Sequence, residues 1–267
     1  MHYLIFALIE EAGVTVEING FPAHHETAYS KHYIQKRIDP FLKPGENEVK
    51  VVIDNPQAAW FLNSGMRIDL SIRGFAEDEV IDLHSGKFCD LTTNISDEDV
   101  TSSRPLNLLE PSTTFKFSLD KSLPNNIGVF GKYLDGGDSK EVEDFCNQIR
   151  SSFEGQDIDW LMKHTSSGIE SRLQFYGDSI EESKMVVEEA FKRYSQMPLK
   201  PLQVPNKPVV KAFLNNKVWA TSATAAWSAS SYMPLLTFLN PETEKASGKM
   251  DIYIGRTSEN EYGIIFY

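Results

Sequence analysis

Apolar and polar positions follow one pattern up to about residue 134 and a different pattern after it. In the first part, apolar residues form short runs cut by turns, and in 66–73 they alternate with polar residues. A period of two is typical of an antiparallel strand with one buried face. After residue 138, three stretches have helical spacing, and strand-like runs then continue to the last residue. This change predicts two domains, 1–134 and 139–267, joined by the glycine-containing linker 134–138.

Short strands separated by turns dominate the first domain. Strands are predicted at 3–9, 14–18, 48–53, 66–73, 80–83 and 114–119. Asn19-Gly20 and Pro44-Gly45 supply turns, because Gly accepts a positive φ and Pro fixes its own φ. The polar segment 21–27 and the acidic stretch 90–105 are expected to be surface loops. Many short strands joined by turns predict an antiparallel β-sandwich.

Three helices are predicted at the start of the second domain. One face of the first, 139–153, carries the apolar residues Val142, Phe145, Cys146, Ile149 and Phe153. The second is short and begins near Asp157, with Ile158, Leu161 and Met162 turned inward. The third, 179–196, repeats Met185, Val186, Ala190 and Tyr194 at helical spacing. Four residues of the first and third helices are expected to be almost fully buried: Phe145, Ile149, Val186 and Ala190.

A proline-rich connector follows the helices and leads into a last series of strands. The strands are predicted at 208–214, 217–228, 233–240, 248–255 and 261–267. Helices first and consecutive strands afterwards predict an antiparallel sheet packed on helices. The fold class is therefore α+β in two domains: an N-terminal antiparallel β-sandwich, and a C-terminal domain of three helices on a curved antiparallel sheet.

The turn sequences of the first domain resemble those of bacterial jelly-roll accessory domains. The phrase is Ile18-Asn19-Gly20-Phe21-Pro22, followed by Ile38-Asp39-Pro40-Phe41-Leu42-Lys43-Pro44-Gly45-Glu46-Asn47-Glu48-Val49. The resemblance is mostly one of turn chemistry. It implies a fold of the β-sandwich type and no activity.

The order of elements in 139–267 resembles that of cystatin-like or NTF2-like domains, in which three helices pack on a curved sheet. NTF2-like enzymes often place Asp/His pairs in the pocket of this cone. The resemblance therefore implies His164 as a candidate general base, with Asp159 and Glu170 as its nearest acidic neighbours in sequence. The structural interpretation is favoured over this one: His164 follows Trp160 at i+4 and is expected to cap the C-terminus of its helix.

The chain is acidic, with 38 Asp and Glu residues, 26 Lys and Arg residues and a formal net charge of −12. A negative surface repels phosphate groups, so nucleic acids and anionic membranes are not expected as partners. The expected partner is a neutral or basic protein, and a small-molecule ligand is the alternative. The sequence does not indicate an oligomeric state.

The sequence gives few signals of location, and they favour the cytoplasm. No stretch approaches the ~20 apolar residues of a membrane span. The apolar opening 2–9 lacks a basic region and ends at Glu10 and Glu11, unlike a secretory signal. Only two cysteines, Cys89 and Cys146, are present, which suits a reducing compartment.

Metal-ligating residue types are densest at His24, His25, Glu26 and His32. Adjacent residues of a strand point to opposite faces, and this spacing matches no zinc signature, so a solvated loop is favoured over a metal site. The acidic runs 77–79 and 97–99 lack the spacing of a calcium loop. No metal or cofactor is expected.

Recognised catalytic motifs do not occur in the sequence. A G-x-S-x-G elbow and a phosphate-binding loop are both missing. Cys146 falls on the inward face of a predicted helix, where a thiol is usually inert.

Aromatic residues occur along all predicted parts of the second domain: Trp160, Tyr194, Trp219, Trp227, Tyr253 and Phe266. Most are expected in the core, and the others are candidates to line a pocket.

Three functional hypotheses follow. The favoured one is a non-enzymatic, bacterial-type binding protein that engages another protein, for example a toxin-neutralising immunity protein or an adaptor. The second is a hydrolase, isomerase or dehydratase that uses His164 with a carboxylate, which requires the two groups within hydrogen-bond reach in a closed cavity. The third is a carbohydrate-binding protein that uses exposed aromatic residues of the β-sandwich.

Overall fold

The computed structural model describes residues 2–10, 14–26, 32–53, 67–76, 79, 81, 86–89, 92–93, 112–121, 125–126, 132–176, 179–214, 216–224, 233–259 and 261–265. These residues form a mixed α+β structure with several antiparallel sheets, three α-helices and one 3-10 helix. The chain divides into two compact units. Unit 1 comprises Met1–Gly128 and Ser228–Ser230, and unit 2 comprises Val129–Trp227 and Ser231–Tyr267.

The described part of unit 1 is built from strands and a 3-10 helix at Asp39–Phe41. The strands are β1 (His2–Glu10), β2 (Val14–Ile18), β3 (Phe21–Glu26), β4 (His32–Arg37), β5 (Gly45–Ile53), β6 (Arg67–Phe75), β7 (Lys87–Phe88), β8 (Thr92–Thr93) and β9 (Ser112–Leu119). A four-stranded sheet has the order β4-β1-β6-β7, and a five-stranded sheet has the order β3-β2-β5-β9-β8. The strands predicted around β1, β2, β5, β6 and β9 are confirmed. Most of the predicted strand 80–83 lies outside the described residues.

The prediction of a surface loop at 21–27 was wrong, because Phe21–Glu26 form β3 and pair with β2. Phe21, Pro22 and Ala23 are all buried, and Phe21 and Ala23 are completely so. The burial of these three consecutive residues outweighs the polarity of the residues that follow. Thr92–Thr93 likewise form the short β8 inside the stretch predicted as an acidic loop.

Two amide side chains join the predicted turns of unit 1. The Asn19 side chain donates to the Phe41 carbonyl at 2.7 Å and to Asn47 Oδ1 at 2.8 Å. Asn47, which is fully buried, also accepts from the Lys43 N–H and donates to the carbonyls of Lys43 and Gly45. Each hydrogen-bonding group of this buried amide is therefore used, as a stable buried polar group requires.

Unit 2 begins with three helices: α1 (Ser139–Glu154), α2 (Ile158–Tyr176) and α3 (Ile180–Tyr194). Asp138 caps α1 by accepting the Lys140 N–H at 2.9 Å. Ser179 and Glu182 form a reciprocal capping box at the start of α3. Helix α2 spans 19 residues and is much longer than the short helix that the sequence predicted.

The predicted apolar face of α1 is confirmed, and that of α3 was wrong at Met185, Val186 and Ala190, none of which is buried. Phe145 is only 6% exposed and Ile149 is completely buried. In α3, however, Val186 is 53% exposed, and the helix buries Val187 and Phe191 instead. The Phe191 ring packs edge-on against Phe153 at 5.3 Å between centroids, and this large contact determines which side of the helix faces the core.

Six strands follow the helices: β10 (Val209–Phe213), β11 (Val218–Ser222), β12 (Leu236–Leu239), β13 (Ala246–Met250), β14 (Tyr253–Ser258) and β15 (Glu261–Ile265). A four-stranded antiparallel sheet has the order β10-β11-β14-β15, and β12 pairs with β13 separately. The single strand predicted at 248–255 is therefore two strands in different sheets, divided at Asp251 and Ile252. Within the described part of the strand predicted at 217–228, the observed strand β11 ends at Ser222.

Helix α2 lies directly on the edge strand β15. A side chain at Gly168 would come within 2.4 Å of the Ile264 carbonyl oxygen, so only glycine permits this approach. The contact fixes the distance of α2 from the sheet. It thereby positions His164, one helical turn earlier, near the end of the β14–β15 hairpin.

The segment predicted as the linker is attached to unit 2. The division between the units falls after Gly128, before the predicted boundary at 134. The Tyr133 side chain is 1% exposed, and the Leu134 N–H donates to the Arg256 carbonyl at 2.9 Å. Asp135 pairs with Lys217 at 3.2 Å. Residues 134–138 are at the surface, but these contacts hold their start against the sheet.

Candidate functional site

Unit 2 contains an acidic cleft of about 320 Å³. Its carboxylate-bearing residues are Glu141, Asp144, Glu259 and Glu261. Its other lining residues are Phe145, Gln148, His164 and Tyr262. These eight residues together form the acidic cleft.

Helix α1 supplies one wall of the acidic cleft. Glu141, Asp144, Phe145 and Gln148 follow the spacing i, i+3, i+4 and i+7, so they share one side of the helix. Phe145 belongs also to the buried core, whereas Glu141 and Asp144 are exposed. The wall is therefore aromatic at its base and acidic at its rim.

The β14–β15 hairpin supplies the opposite wall. Glu259 lies in the turn, and Glu261 and Tyr262 begin β15. The Tyr262 hydroxyl donates to Glu141 Oε2 at 2.7 Å, which ties the hairpin to α1. Tyr262 is only 8% exposed and Glu141 is exposed, so this hydrogen bond joins the two walls at a partly buried position.

The environment of Tyr262 keeps its hydroxyl protonated. Burial, followed by the hydrogen bond to Glu141 and the charge of that carboxylate, raises the pKa of Tyr262 to about 12. The nearby Arg256 guanidinium acts in the opposite direction. Tyr262 is thus a neutral hydrogen-bond donor to Glu141 across the ordinary pH range.

His164 reaches the cleft from α2 with its ring held in one orientation. Its Nδ1 lies 2.8 Å from the Trp160 carbonyl oxygen, and its ring stacks on Trp160 with 3.9 Å between centroids and 28° between planes. A carbonyl oxygen can only accept, so we assign the proton to Nδ1. In the neutral imidazole, Nε2 is then the acceptor.

The base of the acidic cleft is an aromatic cluster centred on Phe145. Its ring centroid is 5.6 Å from that of His164 and 5.8 Å from that of Tyr262. Such ring faces carry partial negative charge and attract cations. Of the lining residues, none is Lys or Arg, and Asp144 forms an exposed ion pair with Lys140 at 3.4 Å.

The candidate catalytic acids lie elsewhere, and the cleft lining includes neither Asp159 nor Glu170. The charge of Asp159 is one of several that raise the pKa of Lys192 on α3, the largest cause being the hydrogen bond to Glu188. Burial lowers the pKa of Lys132, and the charge of Glu170 opposes that shift. His164 is the one predicted catalytic candidate that lines the cleft.

The described aromatic pocket candidates pack in the core and do not line the acidic cleft. Trp219 on β11 is 7% exposed, and its indole N–H has no hydrogen-bond partner among the described residues. Tyr253 is buried, and burial raises its pKa. Tyr194 stacks on Phe238 at 4.6 Å, and Trp160 supports His164. Trp227 and Phe266 lie outside the described residues.

The predicted ligand-type histidines lie on strands of unit 1. His24 and His25 are adjacent in β3, and His32 begins β4 in the other sheet. Over the described ranges, no group of three or more His, Cys, Asp or Glu side chains is arranged to hold a metal ion. Asp97-Glu98-Asp99 lies outside the described residues, and the expectation of no metal stays a prediction. Cys146 is completely buried, and burial raises the pKa of its thiol.

Sequence reasoning missed most of the acidic cleft. Glu141 and Asp144 resemble solvated residues of an amphipathic helix, and Glu259 and Glu261 resemble a polar turn. Their arrangement around one cleft depends on a contact between α1 and β15 that no local pattern encodes. Of the cleft residues, only His164 was predicted as a site residue, from the resemblance to NTF2-like domains.

Comparison with protein-family models, curated proteins and solved structures found no significant match to this chain. None of the described helices is both long enough and apolar enough to cross a membrane.

Proposed function

We propose that this chain is a binding protein and that the acidic cleft of unit 2 receives a basic group of a protein partner. One observation carries the proposal: four carboxylate-bearing residues and no Lys or Arg line a cleft with an aromatic base. A concave site of one charge sign attracts the opposite sign, because low-dielectric walls concentrate its field. A positively charged side chain is the chemistry that this arrangement fits.

The charge of the whole chain supports the same partner. The formal net charge of −12 steers basic molecules toward the protein and repels acidic ones. The cleft then provides the site at which the basic group of the partner binds. Among partners of this kind, we propose a basic protein, such as a toxin neutralised by an immunity protein, or a ligand of an adaptor.

The geometry of His164 favours binding over catalysis. The predicted enzyme requires His164 and a carboxylate within hydrogen-bond reach. In the structure, the hydrogen bond of His164 goes to the Trp160 carbonyl, and neither predicted acid lines the cleft.

The specific fold of each unit is also a proposal. We propose that unit 1 is a β-sandwich and that unit 2 is a cone of the NTF2-like or cystatin-like type. The two antiparallel sheets of unit 1, and the three helices followed by an antiparallel sheet in unit 2, support it. On this account, unit 2 carries the binding site.

A charge-reversal experiment tests the function. Binding of a short blocked peptide rich in Lys and Arg is measured for the natural chain and for the double variant E259K/E261K. Both glutamates are exposed, so the variant is expected to fold. We expect affinity to fall at least about tenfold, which corresponds to 1.4 kcal/mol, and binding by the natural chain to weaken with salt.

The matched control is E242K/E244K, which makes the same change of net charge at exposed positions of unit 2 outside the cleft. The proposal requires this variant to bind nearly as well as the natural chain. Equal losses in the two variants would show that only net charge matters. Equal binding of a Glu-rich peptide would contradict the proposal outright.

A further inference from the structure

The acidic cleft offers hydrogen-bond acceptors from several directions. Glu141, Asp144 and Gln148 lie on α1, His164 lies on α2, and Glu259 and Glu261 lie on the hairpin. Building on the proposed function, we propose that the group bound there is an arginine guanidinium of the partner, and that His164 Nε2 selects it over a lysine ammonium.

The fixed ring of His164 is the first reason. Its Nδ1–H donates to the Trp160 carbonyl, so Nε2 of the neutral ring keeps a lone pair. Stacking on Trp160 and the tilted contact with Phe145 oppose rotation of the ring. No described residue donates to Nε2. The cleft therefore holds a neutral acceptor in addition to its carboxylates.

The balance of donors and acceptors is the second reason. A guanidinium has five N–H donors and no acceptor, whereas the cleft is lined by four carboxylates, an imidazole and the amide of Gln148, which accepts and donates. The one hydroxyl hydrogen in the lining, that of Tyr262, already goes to Glu141. The planar guanidinium can donate hydrogen bonds to acceptors on different elements at the same time. An ammonium is a compact charge that keeps its hydration more strongly.

The aromatic base is the third reason. A guanidinium is flat and stacks on ring faces, which a tetrahedral ammonium cannot do. Phe145 lies at the centre of the base, within 6 Å of both His164 and Tyr262 between centroids. A guanidinium lying on this base would direct its N–H groups outward, toward the surrounding acceptors.

The test compares two blocked amino acids that differ in their cationic group. Acetyl-arginine amide and acetyl-lysine amide are titrated into the full chain at about pH 8, where imidazole is ordinarily neutral. We expect arginine to bind about fivefold more tightly, the value of one net hydrogen bond. The ¹⁵N signal of His164 Nε2 should shift with arginine and not with lysine.

Two variants isolate the role of His164. His164→Phe keeps an aromatic ring and removes the acceptor, so the preference for arginine should disappear. His164→Gln retains a carbonyl acceptor and should keep part of the preference. If His164→Phe does not fold, the Nε2 signal of the natural chain still decides, because an unchanged signal on saturation with arginine overturns the proposal.

The outcomes separate this inference from the function on which it rests. If both ligands bind equally and E259K/E261K abolishes both, the acidic cleft binds cations but His164 selects nothing, which overturns the inference alone. If neither ligand binds, both the inference and the proposed function fail.

Discussion

The hydroxyl of Tyr262 connects the two walls of the cleft, and its ionisation would break that connection. Above its pKa, the phenolate would lie beside the Glu141 carboxylate in a partly buried position. Burial together with this neighbour makes the folded protein disfavour the ionised form. The stability of the folded protein therefore depends on whether Tyr262 is protonated.

The pH dependence of unfolding should reveal this link. The pKa of Tyr262 is raised from 10.0 to about 12, so its contribution to stability is complete below pH 10 and is lost as pH rises through 12. In Tyr262→Phe, the free energy of unfolding should fall less over this range than in the natural chain. Urea titrations at several pH values measure it, and the other tyrosines serve as a common background. If the free energy of unfolding changed equally with pH in Tyr262→Phe and in the natural chain, Tyr262 would be solvated and the link would be contradicted.

Helices differ in how clearly the sequence defines their buried face. In α1 the bulky apolar residues all fall on one side, so Phe145 and Ile149 could be predicted as buried. In α3 the neighbours Val186 and Val187 are both apolar, and periodicity alone allows either face. The contact of Phe191 with Phe153 resolves the choice, and it joins residues far apart in the chain.

Truncation of single residues in α3 tests which side supports the core. Phe191→Ala should lower the free energy of unfolding by about 3–5 kcal/mol, because it removes a buried aromatic ring and leaves a cavity. Val186→Ala, on the exposed side, should change it by no more than about 0.5 kcal/mol. Chemical denaturation of both variants gives the comparison. Similar losses would mean that the helix is rotated relative to the structure.

For the whole molecule, the sequence placed the change of architecture near the observed division but not at it. Tyr133 belongs to unit 2, since a side chain at Gly255 would come within 2.5 Å of its ring. Because Tyr133 lies next to the glycine-containing segment, the sequence alone places it at the end of the first domain. Its packing against β14 becomes visible only in three dimensions.

Two fragments test the extent of unit 2. We expect 129–267 to fold alone, and we expect 139–267 to be less stable by about 3–5 kcal/mol because it lacks the buried Tyr133 ring. Thermal and urea unfolding of the two fragments provide the measurement. Equal stability would show that residues 129–138 do not belong to unit 2, in agreement with the domain boundary that the sequence alone predicted.

The acidic cleft could be predicted from the sequence only in small part. Its charge agrees with the acidic composition, and His164 was a candidate because the order of elements resembles that of NTF2-like domains. The remaining residues come from 141–148 and 259–262, at opposite ends of unit 2. The hydrogen bond from Tyr262 to Glu141 joins these ends, and long-range pairing of this kind leaves no periodic signal.

Binding of a positively charged group in the acidic cleft can be tested by mapping the residues that a bound ligand contacts. Amide and side-chain NMR signals of the full chain are followed while acetyl-arginine amide is added. We expect the largest saturable shifts at Glu141, His164, Glu261 and Tyr262. Saturable shifts confined to another surface, or no saturable shift at all, would contradict the account.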